Sequence, residues 1–281
     1  MNNDRIRIVT DSASTIPPEL ARELEIGIVP VSLTVGDRTM DDGEMSSEEL
    51  YRNMERGIIA RTSQPAPGRF AEMYERLRGI ASSVISVHIT GLHSGTCQSA
   101  SLAASMFPDM DIKVVDSRGV SLGTGYMVIR AARMAKEGRA KEEILAALEE
   151  MRGRIHTFCT VSTVRYLQMS GRLGWLSGTL ATVLDIKPVM SVRDGTLGLM
   201  GKVRTRARSL DSLIQATITA LQGAREKQIA VIHAGALDEA KQVKERLEQM
   251  IGTKVTYFLE APSVLAVHGG PGLLGIVSYG A

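Results

Sequence analysis

The first half of this chain is constrained above all by a rhythm: four short apolar, β-branched runs, each followed by a stretch with helical periodicity. The runs are IRIVT (Ile6–Thr10), GIVPVSLTV (Gly27–Val35), SSVISVHIT (Ser82–Thr90) and DIKVVDS (Asp111–Ser117). Near-continuous apolar strands that alternate with helices predict a parallel sheet covered on both faces. The helices between them carry their own signals. Pro17-Pro18 opens ELARELE, and Ser46 with Glu49 forms a capping box ahead of ELYRNM. Pro67-Gly68 leads into RFAEMYERLRG, which Gly79 stops, and GYMVIRAARMAKEG and KEEILAALEEMRGR flank a break at Gly138. A doubly wound α/β domain is the expectation for residues 1–153.

Residues 154–281 have a different texture. HTFCTVS reads as a strand and VRYLQMSGRLG as a short helix closed by a glycine turn. Asp194-Gly195 stands between two β-compatible runs, the strongest short hairpin signal. SLDSLIQATITALQGAREK is an amphipathic helix, QIAVIHA a strand, and LDEAKQVKERLEQMI a helix. KVTYFLEA and SVLAVHGGPGLLGIVSYGA read as closing strands. The expectation here is an α+β domain with an antiparallel hairpin, the boundary falling near Gly153.

A length of 281 residues suits two such domains. The net charge of +2 argues against a nucleic-acid footprint, which needs a strong basic excess. The N-terminus MNNDRIRIVTD lacks an apolar signal core, and no apolar run reaches 18 residues, so no stable membrane insertion is expected. Cys97 and Cys159 are too few for a disulfide framework and lack metal-ligand spacing. A reducing, cytoplasmic setting fits, with no metal and no cofactor. Met is plentiful at 14 residues, which suits irregular cores or adaptable apolar cavities.

Three hydroxyl- or glycine-rich loops carry the candidate chemistry. In SVHITGLHSGTCQSASLAA an apolar strand ends at a small polar turn before an Ala/Ser-rich helix. Ser94, Gly95 and Thr96 thus stand at a helix start, where free N–H groups and the positive end of the dipole attract an anion; equally, Ser94 serves as its helix's N-cap. Arg61-Thr62-Ser63-Gln64-Pro65 is a second such loop, compatible with plain turn chemistry. The third, His268-Gly-Gly-Pro-Gly272, is read at the end of an apolar strand, and its glycine density implies close backbone approach to something. Asp11-Ser12 and Asp116-Ser117 both end strands, so they are expected on the same sheet edge as the Ser94 turn, or simply as caps. Lys202, Arg204, Arg206 and Arg208 alternate along KVRTRARS, which on a strand would send all four to one face. That face is either solvated or fitted to an acidic partner.

Several enzyme classes are removed by the same residues. There is no G-x-x-x-x-G-K-[ST] phosphate loop. Gly270-Pro-Gly272-Leu-Leu-Gly275 matches a dinucleotide fingerprint by letters, yet only six residues follow it, too few for the helix such a loop needs. A Ser-dependent esterase using Ser94 and His268 stands as the alternative. It lacks the Gly-x-Ser-x-Gly elbow, and no acid is evidently placed to orient His268.

Taken together, the landmarks resemble the DegV family of bacterial fatty-acid-binding proteins. They are Thr62-Ser63-Gln64-Pro65, His93-Ser94-Gly95-Thr96-Cys97-Gln98-Ser99-Ala100, Val115-Asp116-Ser117, Gly171-Arg172-Leu173-Gly174, Asp185-Ile186-Lys187-Pro188, Lys202-Val-Arg204-Thr and His268-Gly-Gly-Pro-Gly272. Seven in order at family-like spacing make a specific match from IRIVTDSAST to the end. The resemblance implies a long-chain fatty acid in a tunnel between the two domains. Its carboxylate would be held by Thr62, by Ser94 with the Gly95 backbone, and by His268, with Ser63, Thr96 and Ser12 as secondary candidates. It further implies a non-catalytic carrier that presents the carboxylate to a separate ATP-dependent fatty acid kinase, with Arg172 and Arg204 facing that kinase. This sequence departs from the family pattern at Gly269, where Thr is usual, at Cys97, commonly Tyr, and at Trp175, commonly polar; pocket shape and chain-length preference are the properties these touch.

Overall fold

The computed structural model describes residues 5–172 and 186–281. Three of the landmark residues, Leu173, Gly174 and Asp185, and the departure at Trp175 lie outside the described residues. The chain divides into two compact units, Met1–Ser32 with Ser63–Gly153, and Leu33–Thr62 with Arg154–Ala281.

Unit 1 is built on four parallel strands: β1 (Ile6–Asp11), β2 (Gly27–Val29), β6 (Ser83–His88) and β7 (Asp111–Asp116), in the order β2-β1-β6-β7. Every residue of β6 is buried, as a central strand of a covered parallel sheet requires. Val9 and Val84 pack with Phe70 and Tyr74 of α3 (Pro67–Leu77) and with Ala100 and Ala103 of α4 (Thr96–Ala104). Their neighbours Ile8 and Ile85 point to the other face by the period of two. They are buried there, where α5 (Leu122–Lys136) lies against β1 and β6. The expected doubly wound arrangement is thus present, and its strands come from the runs that periodicity marked.

Unit 2 holds a six-stranded mixed sheet, order β10-β9-β8-β13-β11-β12. Its strands are β8 (Ile155–Thr160), β9 (Lys187–Arg193), β10 (Thr196–Val203), β11 (Lys227–Ala234), β12 (Tyr257–Glu260) and β13 (Leu273–Gly280). Only β11 and β12 pair in parallel among these, and α9 (Leu237–Ile251) is the crossover between them. Leu210, Leu213 and Ile214 of α8 (Arg206–Ala220) join Val243 and Leu247 of α9 over Phe158, Val231 and Ile276 of the sheet to form the core. The β9–β10 hairpin turns at Asp194 (φ 49°) and Gly195 (φ 82°), the two left-handed positions of a type I′ turn.

Four sequence expectations are corrected. GIVPVSLTV is two strands, not one: β2 stops at Val29, Pro30 interrupts the ladder donors, and β3 (Ser32–Val35) joins a separate sheet β4-β3-β5 with β4 (Arg38–Asp41) and β5 (Ala60–Ser63). Residues 33–62, assigned by sequence to the first domain, belong to unit 2. Within that unit Tyr51 of α2 (Ser47–Glu55) donates to Glu260 Oε1 at 3.1 Å, and its ring lies 3.3 Å from the position a Gly235 Cβ would take. Third, SVLAVHG is not a strand but the helix α10 (Ser263–Gly269), opened by Pro262 and closed at Gly270 (φ 72°). Fourth, the basic alternation does not lie on one strand face. β10 ends at Val203, Thr205 Oγ1 accepts from Arg208 N–H at 3.3 Å, and α8 begins at Arg206. Arg206 is consumed internally, with Nε 3.1 Å from Glu239 Oε1 and Nη2 2.7 Å from the Gly272 carbonyl.

Candidate ligand-binding site

In unit 2 the fold joins two residues 206 positions apart: Thr62 Oγ1 lies 3.1 Å from His268 Nε2. β5 delivers Thr62, and the last turn of α10 delivers His268. A cationic histidine would suit a helix C-terminus. Here burial, and next the positive charge of Arg172, push its pKa down to about 3. The ring is therefore neutral near pH 7, with one N–H. Its Nδ1 is buried and has no partner among the described residues. If Thr62 donates to Nε2, the proton sits on Nδ1 and that donor is unspent. If Nε2–H donates to Thr62, the threonine hydroxyl proton is unspent. Either tautomer leaves one donor of the pair free for an acceptor, and a desolvated carboxylate requires such donors.

In unit 1 the turn after β6 is built around Ser94. Ser94 Oγ is 2.7 Å from Thr96 Oγ1 and accepts from Thr96 N–H at 3.3 Å. The helix N-cap is Gly95, not Ser94. A Cβ on Gly95 would meet the Gln64 carboxamide at 3.0 Å, so glycine lets the two motifs approach. Ser12 Oγ accepts from Val31 N–H at 3.1 Å and so serves its own loop, while Ser63 is exposed. Arg204 is exposed between β10 and α8; Arg172 is half-buried, with Nη1 2.6 Å from the Ser170 carbonyl.

Sequence reasoning missed a buried relay. Tyr74 OH donates to Ser86 Oγ at 2.9 Å, Ser86 Oγ is 2.7 Å from His88 Nε2, and His88 Nδ1 is 2.9 Å from Asp11 Oδ2. Ser86 and His88 stand two apart on β6, the spacing that puts both on one face, and this was the available signal. Ser86, His88 and Asp11 all have zero solvent exposure, so this Ser–His–Asp set is a core network closed to solvent.

Residues 5–280 match the family model described as uncharacterised protein, DegV family. This chain belongs to the DegV family. A DegV domain-containing protein of Caldanaerobacter subterraneus is 31% identical over 276 residues, covering 97% of this chain and 98% of that one. Among solved structures, a DegV family protein from Thermus thermophilus, described by its fatty acid binding, is 33% identical with a TM-score of 0.90 over 99% of this chain and 100% of that one. DegV from Bacillus subtilis, described as a fatty acid binding protein, is 28% identical with a TM-score of 0.91 over 99% of both chains. A stearic-acid-binding protein from Eubacterium ventriosum is 26% identical with a TM-score of 0.90 over 98% of both.

The glycines of the last family motif approach side chains of unit 2 itself. A Cβ on Gly270 would fall 1.9 Å from Tyr166 Cδ2, and one on Gly272 1.9 Å from Ser162 Oγ. Gly269 also has a local partner: a Cβ there would lie 2.8–2.9 Å from Leu273. Leu273 fills the space that a larger residue would need. Among the described residues no helix is long and apolar enough to cross a membrane, and no cluster of three or more His, Cys, Asp or Glu is placed to hold a metal ion.

Proposed function

We propose that this chain is a non-catalytic carrier of long-chain fatty acids that buries the acyl tail and presents the carboxylate to a separate ATP-dependent kinase in the cytoplasm. The observation that carries it is the Thr62–His268 pair, a neutral, half-buried couple with one donor unspent in either tautomer. Hydroxyls and a neutral imidazole hold an anion by hydrogen bonds without neutralising it, which leaves a carboxylate nucleophilic for phosphorylation. The fatty acids described for the Thermus, Bacillus and Eubacterium relatives support the ligand class. Ser94 with the Gly95 backbone, and secondarily Ser63, Thr96 and Ser12, complete the proposed carboxylate contacts. Arg172 and Arg204 are the proposed kinase contacts, Arg204 being the more exposed. Burying a methylene gains about 0.8 kcal/mol, so a sixteen-carbon tail grosses on the order of 10 kcal/mol, reduced by the entropy of association and chain ordering. The esterase alternative finds no support in Ser94, whose hydrogen bonds run to Thr96.

Native mass spectrometry of the protein as purified, followed by denaturation and lipid extraction, tests the ligand. A stoichiometric mass shift that extracts as fatty acid is expected; an apo mass that also ignores added palmitate and oleate overturns the reading. Ser94→Ala and His268→Ala should weaken fatty-acid binding about ten-fold each, from a lost hydrogen bond to a charged group. Arg204→Glu should leave binding intact and impair acyl-phosphate formation by the kinase. Equal loss of lipid binding in all three contradicts this division of roles.

A further inference from the structure

The same dipeptide ends two strands, Asp11-Ser12 after β1 and Asp116-Ser117 after β7, and in the sheet these strands flank β6. The two aspartates make the same pair of bonds. One oxygen caps the residue's own turn: Asp11 Oδ1 accepts from Ala13 N–H at 3.1 Å, and Asp116 Oδ1 from Arg118 N–H at 2.8 Å. The other oxygen reaches across to the segment leaving β6: Asp11 Oδ2 accepts from Ile89 N–H at 3.3 Å, and Asp116 Oδ2 from Gly91 N–H at 3.0 Å. Asp11 Oδ2 also meets His88 Nδ1 at 2.9 Å. The exit of the central strand is thus gripped from both sides over three consecutive residues, where the Thr90 N–H also donates to the Gly119 carbonyl at 2.9 Å. A side chain at Gly91 would place its Cβ 3.0 Å from Asp116 Oδ2, so the approach depends on glycine there.

Capping accounts for one oxygen of each aspartate and not for the other. A cap needs a single acceptor, and placing two carboxylates at the edge that binds an anion is electrostatically unfavourable. Their benefit is geometric. Three residues beyond Gly91 stands Ser94, on a turn whose hydrogen bonds include Leu92 N–H to Thr90 Oγ1 and His93 N–H to the Thr90 carbonyl, both at 3.3 Å, and the Ser94–Thr96 pair. We infer that Asp11 and Asp116 are positioning residues that clamp the β6 exit and thereby aim Ser94 and the Gly95 backbone at the ligand carboxylate. This rests on the carrier reading given above.

Asp116 is the informative position, because Asp11 is fully buried and its replacement threatens the fold. Asp116→Asn removes one of the two acceptor oxygens and Asp116→Ala removes both. Fatty-acid affinity, measured by displacement of a fluorescent probe from delipidated protein, is expected to fall about five-fold and roughly twenty-fold respectively, one hydrogen bond being worth about a factor of five. The fatty alcohol of equal chain length, which lacks the carboxylate, should bind all variants within two-fold. In a Ser94→Ala background, itself about ten-fold weaker, Asp116→Ala should add only about two-fold for the acid, the share carried by the Gly95 backbone. Equal losses for acid and alcohol would mean a merely structural role and overturn the inference. So would unchanged acid binding, or the full, roughly twenty-fold further loss in the Ser94→Ala background. If Ser94→Ala alone binds the acid as well as the native protein, the carboxylate role of Ser94 falls and the clamp falls with it. A weakened Ser94→Ala beside an unaffected Asp116→Ala sinks the clamp alone.

Discussion

Replacing His268 with Gln removes a group whose proton affinity differs sharply between the folded and unfolded chain. In the folded protein burial and the Arg172 charge lower its pKa to about 3, from an ordinary value of 6.5. Between those values the unfolded chain binds a proton that the folded one does not, so stability rises with pH, is fully present above 6.5 and is lost as pH falls toward 3. At pH 5 the wild-type protein should be less stable by about 2 kcal/mol than at pH 8 on account of this residue, at about 1.36 kcal/mol per pH unit. Gln keeps a polar group that can meet Thr62 but does not titrate. The assay is urea unfolding of delipidated protein at both pH values, followed by circular dichroism. With a slope of about 2 kcal/mol per molar urea, the wild-type midpoint should drop about 1 M further than that of the variant between pH 8 and pH 5. The other histidines cancel in this comparison. Equal drops would show that His268 titrates near its ordinary value, and the argument for a neutral donor would be refuted.

Three further outcomes are expected. Gly269→Thr should destabilise by about 1–3 kcal/mol through overpacking against Leu273, and Leu273→Ala in the same chain should recover part of it; thermal melts of the two variants decide. Tyr74→Phe should cost about 1–2 kcal/mol, because Ser86 Oγ loses its buried donor, and a midpoint within error of wild type would mean the relay is not held by that hydroxyl. Arg206→Ala should cost about 1–2 kcal/mol, since it strips the Gly272 carbonyl and the partly exposed Glu239 of a half-buried guanidinium; urea midpoints read the loss, while Arg208→Ala, outside these bonds, should change little.

Elements whose signals are local follow from the order of residues within each segment. The apolar runs at residues 6–10, 82–90 and 111–117 are strands because β-branched burial repeats within each run, and Asp194-Gly195 turns a hairpin because its two positions tolerate positive φ. Thr62, Ser94 and His268 stand out locally as members of hydroxyl- or glycine-rich loops, and only the family resemblance grouped them as one expected site. What those residues meet is set by long-range packing. It put His268 on a helix where β-branched letters suggested a strand, because Pro262 starts that helix and Gly270 ends it. It moved residues 33–62 into unit 2 through contacts such as Tyr51 with Glu260, which are 209 positions apart. It paired Thr62 with His268, dissolved the basic stripe at the Thr205 cap, and turned the repeated Asp-Ser dipeptide into two grips on one loop. Periodicity and turn chemistry act over a few residues, whereas these pairings depend on which distant surfaces pack together.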